Sequence, residues 1–285
     1  MSRAGRVAGL GVLVFLLGLV GAGAALLARF ARDDEPPATT KVAAPPKPLR
    51  IVFPEGFTRR EMAARVTAVN EIAQRKRHVR PRLSELAYLR ATARSTLPAR
   101  FAGDGKRRSL EGFLFPATYE FLPTTTSAQL VRKQLTAFRR VWAKLDLRYA
   151  RSKNLTRYDV LIIASMIEKE AVAPEERKLI AAVIYNRLKA RMALGIDATI
   201  RYGLGVPGTQ ALRQSQLDDP TPYNTRVHRG LPPTPIANPG LASLRAAAHP
   251  ARVGYLYFVR KPDKMHHFFT ASYSDFVNYK NAHGY

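Results

Sequence analysis

The amino-acid sequence predicts an α+β chain, in which a small strand–helix domain precedes a larger mixed domain. Two kinds of signal carry this reading. Capping-box patterns open runs of apolar residues at helical spacing, as at Thr58-Arg59-Arg60-Glu61 and Thr156-Arg157-Tyr158-Asp159. Short runs rich in aromatic and β-branched residues, such as Leu49–Phe53 and Gly254–Val259, sit between turn residues and suit strands.

The chain opens on Val7–Ala28, 22 residues without a charge. As a helix this stretch would be roughly 33 Å long, about one hydrocarbon core, so a transmembrane helix is expected. Arg3, Arg6 and the amino terminus precede it, and Arg29 and Arg32 follow but are offset by Asp33, Asp34 and Glu35. That balance favours residues 1–6 in the cytoplasm and everything after residue 28 exported. Ala22-Gly23-Ala24 resembles a signal-peptide cleavage site, but the apolar run continues past it, which favours an uncleaved anchor. Residues 29–48 form a linker; 33–48 contain five prolines and little to bury, which reads as an extended spacer.

Folded sequence begins at Leu49. Leu49–Phe53 is a strand, Pro54-Glu55-Gly56 a turn, and Thr58 caps a first helix, with a second helical stretch near Arg82–Ala93. From Ser109, SLEGFLFPATYEFL predicts two short strands bent at Pro116. Ser127 is placed to cap a helix to about Leu145, turning Leu130, Leu135, Phe138, Val141 and Trp142 toward a core. Thr156 caps the next helix, Pro174 breaks it, and a further helix is expected over roughly Pro174–Met192. Beyond Gly195, strands and ordered loops are expected, among them DATIRYGLG, YNTRVHRGLPPTPIANPG and GYLYFV.

Composition limits the chemistry. There is no cysteine, which excludes disulfides, thiolate metal sites and a cysteine nucleophile. The 46 Lys+Arg against 21 Asp+Glu give a formal charge of +25, which favours polyanionic surroundings. The basic residues are scattered, and no zinc finger, phosphate loop or RNA-binding aromatic signature accompanies them, so a nucleic-acid partner is not expected. Held near anionic lipid headgroups or acidic peptides, such a surface binds less as salt rises.

The stretch ASMIEKEA, Ala164–Ala171, places Glu168 and Glu170 in an otherwise apolar run. Residues two apart on a helix lie about 200° from each other, so the two carboxylates cannot form a dyad in one cleft. Glu168 falls among Leu161, Ala164 and Val172, and Glu170 among Ile163, Met166 and Ile167. Both sets are apolar, so the helical wheel does not choose. A carboxylate against apolar walls is desolvated and stays protonated nearer neutrality, which suits a general acid. The plainer reading pairs each glutamate with an arginine.

Seven blocks taken together carry more. LEGFLFPATYEF, IIASMIEKEA, ERKLIAAVIYNRL, LGIDATIRYGLG, YNTRVHRGLPPTPIANPG, SLRAAAHP and YLYFV occur in order over Ile51–Phe276. They resemble the endolytic murein transglycosylases of the MltG/YceG type. The resemblance implies a membrane anchor, a small LysM-like domain over 49–108, matched more weakly, and a catalytic domain over 109–285. It also implies non-hydrolytic cleavage of the MurNAc-β-1,4-GlcNAc bond within nascent peptidoglycan strands, leaving a 1,6-anhydroMurNAc end. Glycan strands and the cytoplasmic membrane are then the partners, with peptidoglycan synthases as further ones, and no metal or organic cofactor is called for. The resemblance names Glu168 as the single acid and base, with Glu170 left as a structural partner for an arginine. Glu111, Asn186, Asp197, Thr199, Tyr202, Tyr223, Asn224 and Thr225 fall in matched motifs and have side chains suited to sugar binding. Gly230–Pro233 and Asn238-Pro239-Gly240 are expected to shape loops, and His249 to pack or cap. The chain departs from the family pattern at Ile196 and Ala198, and Phe276 stands where a family histidine falls; His267 aligns with another. The competing function is a wall-binding scaffold without catalysis.

Overall fold

The computed structural model describes residues 47–93, 95–96, 101 and 106–285. The expected transmembrane stretch, 7–28, and most of the linker lie outside these. Among the described residues, no helix is long and apolar enough to cross a membrane.

Six strands form three two-stranded antiparallel ladders among the described residues. These are β1 (Leu49–Val52) with β4 (Thr118–Phe121), β2 (Ser95–Thr96) with β3 (Arg107–Arg108), and β5 (Tyr257–Arg260) with β6 (His267–Thr270). In the first pair, Leu49 and Ile51 lie opposite Phe121 and Tyr119, so alternate residues of both strands face one core. The outer face carries the exposed Arg50–Glu120 ion pair, worth at most about 1 kcal/mol.

Helix α1 (Arg59–Arg77) begins at the expected capping box: Thr58 accepts from the Glu61 amide while Glu61 accepts from the Thr58 amide. Met62, Ala63, Val66 and Ala73 form its buried stripe. Helix α2 (Glu85–Ala93) buries Tyr88, whose hydroxyl donates to Gln134 at 2.7 Å. Helix α3 (Ser127–Trp142) supplies that glutamine and closes an aromatic cluster of Phe101, Phe113, Phe138 and Trp142. Its N-cap is Thr126, with Gln129 reciprocating; Ser127 instead exchanges hydrogen bonds with the Ser84 backbone. The helix stops at Trp142, with Leu135 and Val141 only half-buried.

After the short α4 (Arg148–Ser152) comes α5 (Arg157–Glu170), capped by Thr156 and Asp159 as expected. Tyr158 and every residue from Val160 to Ile167 is buried, because α6 (Arg177–Lys189) and a later helix pack on either side. Pro174 opens a single 3-10 turn, Pro174–Glu176, that leads into α6.

Two expected strands are not strands. SLEGFLFPATYEFL contains one strand, β4, rather than two. Its first half is a turn, with Gly112 at φ +86° and the Phe113 amide donating to the Leu110 carbonyl. A Cβ on Gly112 would lie 2.7 Å from Pro235, so both backbone and space demand glycine there. Gly112→Ala is expected to cost about 1–3 kcal/mol, read as a lower denaturation midpoint at unchanged slope. The second failure is DATIRYGL, which is helix α7 (Asp197–Leu204), not strand. Asp197 suits its first turn, Ile200 is buried beneath it, and Gly205 ends it in the left-handed conformation at φ +68°. The remaining helices are α8 (Gln214–Leu217), α9 (Leu241–Ala248), which packs on α5, and α10 (Tyr273–Ala282), which packs on the β5–β6 hairpin. The stretch 218–240 is ordered loop. Lys47–Tyr285 forms one contact unit, and the β1–β4 pair straddles the 108/109 boundary expected between modules.

Candidate active site

The last turn of α5 sends its two glutamates to opposite sides, as helical geometry requires. Glu168 accepts a hydrogen bond from the Gly240 amide at 2.9 Å. One turn earlier, the Ser165 hydroxyl accepts from the Ile236 amide at 3.0 Å. Together they pin the 232–240 loop onto α5. Glu55 lies alongside; burial and then repulsion from Glu168 raise its pKa, with Arg177 opposing. Glu168 does not line the large cleft of the molecule.

Glu170 does. The cleft, about 1410 Å³, runs between α7, the N-terminus of α1 and the β5–β6 hairpin, and Glu170 is on its wall. The side chain is half-buried, open to the cleft and otherwise walled by protein. Burial and then the nearby Asp197 carboxylate push its pKa up to about 7. Arg260, the Ala198 backbone amide and Arg201 act in the opposite direction without cancelling the rise. Glu170 thus has arginines near it, as expected of a structural partner, but its carboxylate faces space a substrate can enter.

The other residues singled out in sequence divide into two groups. Asp197, Tyr202, Tyr223 and Glu111 line the cleft. Asp197 is half-exposed and paired with Arg226 at 2.6 Å. The Tyr202 and Tyr223 rings meet at 5.1 Å between centroids, a close approach that Gly203 permits, since a Cβ there would lie 2.7 Å from Tyr223. Glu111 is 2% exposed and fully engaged. It accepts from the Arg59 amide at 2.9 Å, the Asn238 side-chain amide at 2.8 Å and the Tyr202 hydroxyl at 3.1 Å. Burial raises its pKa to about 7 despite those donors. Its carboxylate therefore serves the otherwise orphaned first amide of α1 and joins that helix to α7 and to the 232–240 loop.

The second group lies outside the cleft lining, with Thr199, Asn224 and Thr225 buried and Asn186 half-buried. Asn186 donates to the carbonyls of Val253 and Tyr255, and Asn224 to those of Leu217 and Asp219. Thr199 and Thr225 bond each other at 3.0 Å, and Thr225 also accepts from the Ile196 amide. Asn186 ties α6 to the 253–255 segment, Thr199 and Thr225 tie the start of α7 to the 225 loop, and Asn224 ties that loop to the end of α8. Ile196 is buried within the cleft lining, and Ala198, also on the lining, supplies its backbone amide to Glu170. Phe276 stacks on Tyr257 at 5.3 Å, and His249 caps the C-terminus of α9.

Sequence reading passed over Arg260 and Glu176. Arg260 lies directly across the hairpin from His267, and Glu176 holds that histidine through both its ring Nδ1 and its backbone amide. No group of three or more His, Asp or Glu residues suited to a metal occurs among the described residues.

Comparison with known proteins agrees with this architecture. The family model described as the YceG-like family matches residues 30–282. A Bacillus subtilis protein named endolytic murein transglycosylase is 38% identical over 155 residues, which are 54% of this chain and 43% of the relative. One of the same name from Streptococcus pneumoniae is 39% identical over 161 residues, 54% of this chain and 29% of the relative. The chain thus spans less than half the length of the curated relatives it matches. The crystal structure of a YceG-like protein from Listeria monocytogenes superposes with a TM-score of 0.67 at 29% identity, covering 81% of this chain and 76% of that one. With a family match over nearly the whole described region and a shared fold, the chain belongs to the YceG-like family.

Proposed function

We propose that this chain is a membrane-anchored endolytic murein transglycosylase with Glu170, rather than Glu168, as its general acid. The observation that carries the reading is a carboxylate with its pKa raised to about 7 on the wall of a long polar cleft. Near neutrality such a group is protonated for a large part of the time, as an acid for a glycosidic oxygen must be. Glu168 lies outside the cleft lining, and its carboxylate accepts from the Gly240 amide of the 232–240 loop.

In this reading Glu170 protonates the oxygen leaving C1 of MurNAc, through an oxocarbenium-like transition state. The C6 hydroxyl of the same sugar attacks C1 and closes the 1,6-anhydro ring, so no water is consumed. The proton of that hydroxyl has to pass to a base. Asp197, Tyr202 and Tyr223 contact the strand, while Glu111, Asn186, Thr199, Asn224 and Thr225 hold the walls. The strand–helix–helix–strand unit β1–α1–α2–β4 supports a small wall-binding module of the LysM-like kind. Residues 7–28 anchor the chain in the cytoplasmic membrane with the cleft outside, and the +25 charge keeps it near anionic headgroups and acidic stem peptides.

The test is mass spectrometry of soluble glycan strands incubated with the full-length chain. Internal fragments ending in 1,6-anhydroMurNAc are expected. Strands that are bound but returned intact would favour the scaffold reading; reducing MurNAc ends would mean hydrolysis.

A further inference from the structure

We infer that His267, oriented by Glu176, is the base that accepts the C6-hydroxyl proton, so that acid and base are different residues. The inference rests on the transglycosylase reading and goes beyond it.

His267 is buried on β6, with its ring edge toward Phe258 at 5.4 Å between centroids. Glu176, itself 5% exposed, accepts twice from it: from the backbone amide at 2.8 Å and from Nδ1 at 2.7 Å. A carboxylate can only accept from Nδ1, so the neutral ring carries its proton there and presents Nε2 as a lone pair. Nε2 makes no hydrogen bond among the described residues, and the ring lines the same cleft as Glu170. The register of the hairpin places His267 directly opposite Arg260, and cross-strand neighbours project on one face. Arg260 is close enough to Glu170 to act on its charge. Glu170, Arg260 and His267 therefore share one wall. A fixed acceptor held in one tautomer by a buried carboxylate is the arrangement expected of a general base.

In the step itself, the C1–O4 bond breaks and its electron pair stays on O4, which takes the proton of Glu170. The O6–C1 bond forms, and the O6 proton passes to Nε2. The imidazolium so formed lies between the carboxylate of Glu176, which favours it, and the guanidinium of Arg260, which does not. Loss of that proton to water and reprotonation of Glu170 restore the starting state, with no net water consumed.

Glu176→Gln is the decisive variant because it inverts the tautomer while keeping the hydrogen-bond count. The His267 backbone amide still requires the carbonyl oxygen, which turns the amide nitrogen toward Nδ1. Nδ1 must then accept, and the proton moves to Nε2. Imidazole ¹⁵N shifts of the full-length chain should show protonated Nδ1 in the wild type and protonated Nε2 in Glu176→Gln. With soluble strands, kcat should fall by at least about 100-fold in Glu176→Gln and in His267→Gln, while KM stays within about threefold. A Glu176→Gln protein that inverts the tautomer yet turns over within about threefold of wild type overturns the inference. So does a wild-type ring already protonated at Nε2. A wild type that releases no anhydro ends would sink the transglycosylase reading instead, and the tautomer measurement would still report on His267.

Discussion

Glu170→Gln should reduce release of anhydro-ended fragments by at least about 100-fold, with strand binding little changed. Glutamine keeps the size of the side chain and can still accept from the Ala198 amide, so the loss isolates the proton. The companion Glu168→Gln should stay within about threefold of wild type. Its carbonyl still accepts from the Gly240 amide, and its side chain is not on the cleft. The opposite pattern, an inert Glu168→Gln and an active Glu170→Gln, would return the acid to Glu168. The pH dependence has a definite sign. An acid with a pKa of about 7 is competent below that value, so the rate should fall about tenfold per pH unit above it. Titrating the initial rate from pH 6 to 9 checks this, and the limb should vanish from the residual activity of Glu170→Gln.

The second large effect is on stability. Glu111→Ala should destabilise the chain by about 3–5 kcal/mol, since it strands the Arg59 amide, the Asn238 side chain and the Tyr202 hydroxyl at a buried site. Glu111→Gln keeps an acceptor and should cost far less. The ionisable wild-type group adds a pH dependence that glutamine lacks. The pKa rises from 4.5 in the unfolded chain to about 7 in the folded one. Its contribution is therefore fully present below about pH 4.5 and is lost as pH rises through about 7. The loss amounts to roughly 3 kcal/mol at the buried site. Denaturation curves at pH 5 and pH 8 should show wild type losing about 2.5 kcal/mol more stability than Glu111→Gln, with any shared contribution from Glu170 cancelling. Equal changes in the two proteins would mean that the carboxylate does not titrate in this range.

Much of the framework is legible in the sequence, and the reason is locality. Thr58 with Glu61 and Thr156 with Asp159 settle where α1 and α5 begin within four residues of chain. Pro174 ends one helix and starts the next for reasons carried in its own ring. Where the deciding contact is remote, the reading fails. The 110–114 turn is not a strand because Pro235 and Asn238, more than 120 residues away, occupy the space and take the Leu114 amide. Asn186, Thr199, Asn224 and Thr225 have the polarity of sugar-binding residues, yet they bond to backbone groups and to each other outside the cleft lining.

The two glutamates of ASMIEKEA divide along the same line. By itself the sequence determined that they lie on one helix and that they point to opposite sides. It could not say which is the acid, because α5 is apolar nearly all round and the walls that distinguish its sides come from elsewhere. Only the tertiary structure decided that the Gly240 amide donates to Glu168 outside the cleft lining, while α7 and the β5–β6 hairpin leave Glu170 on the cleft wall. The physical reason is that solvent access and local charge are properties of the residues brought alongside a side chain, and those residues lie 27 to 90 positions further along the chain.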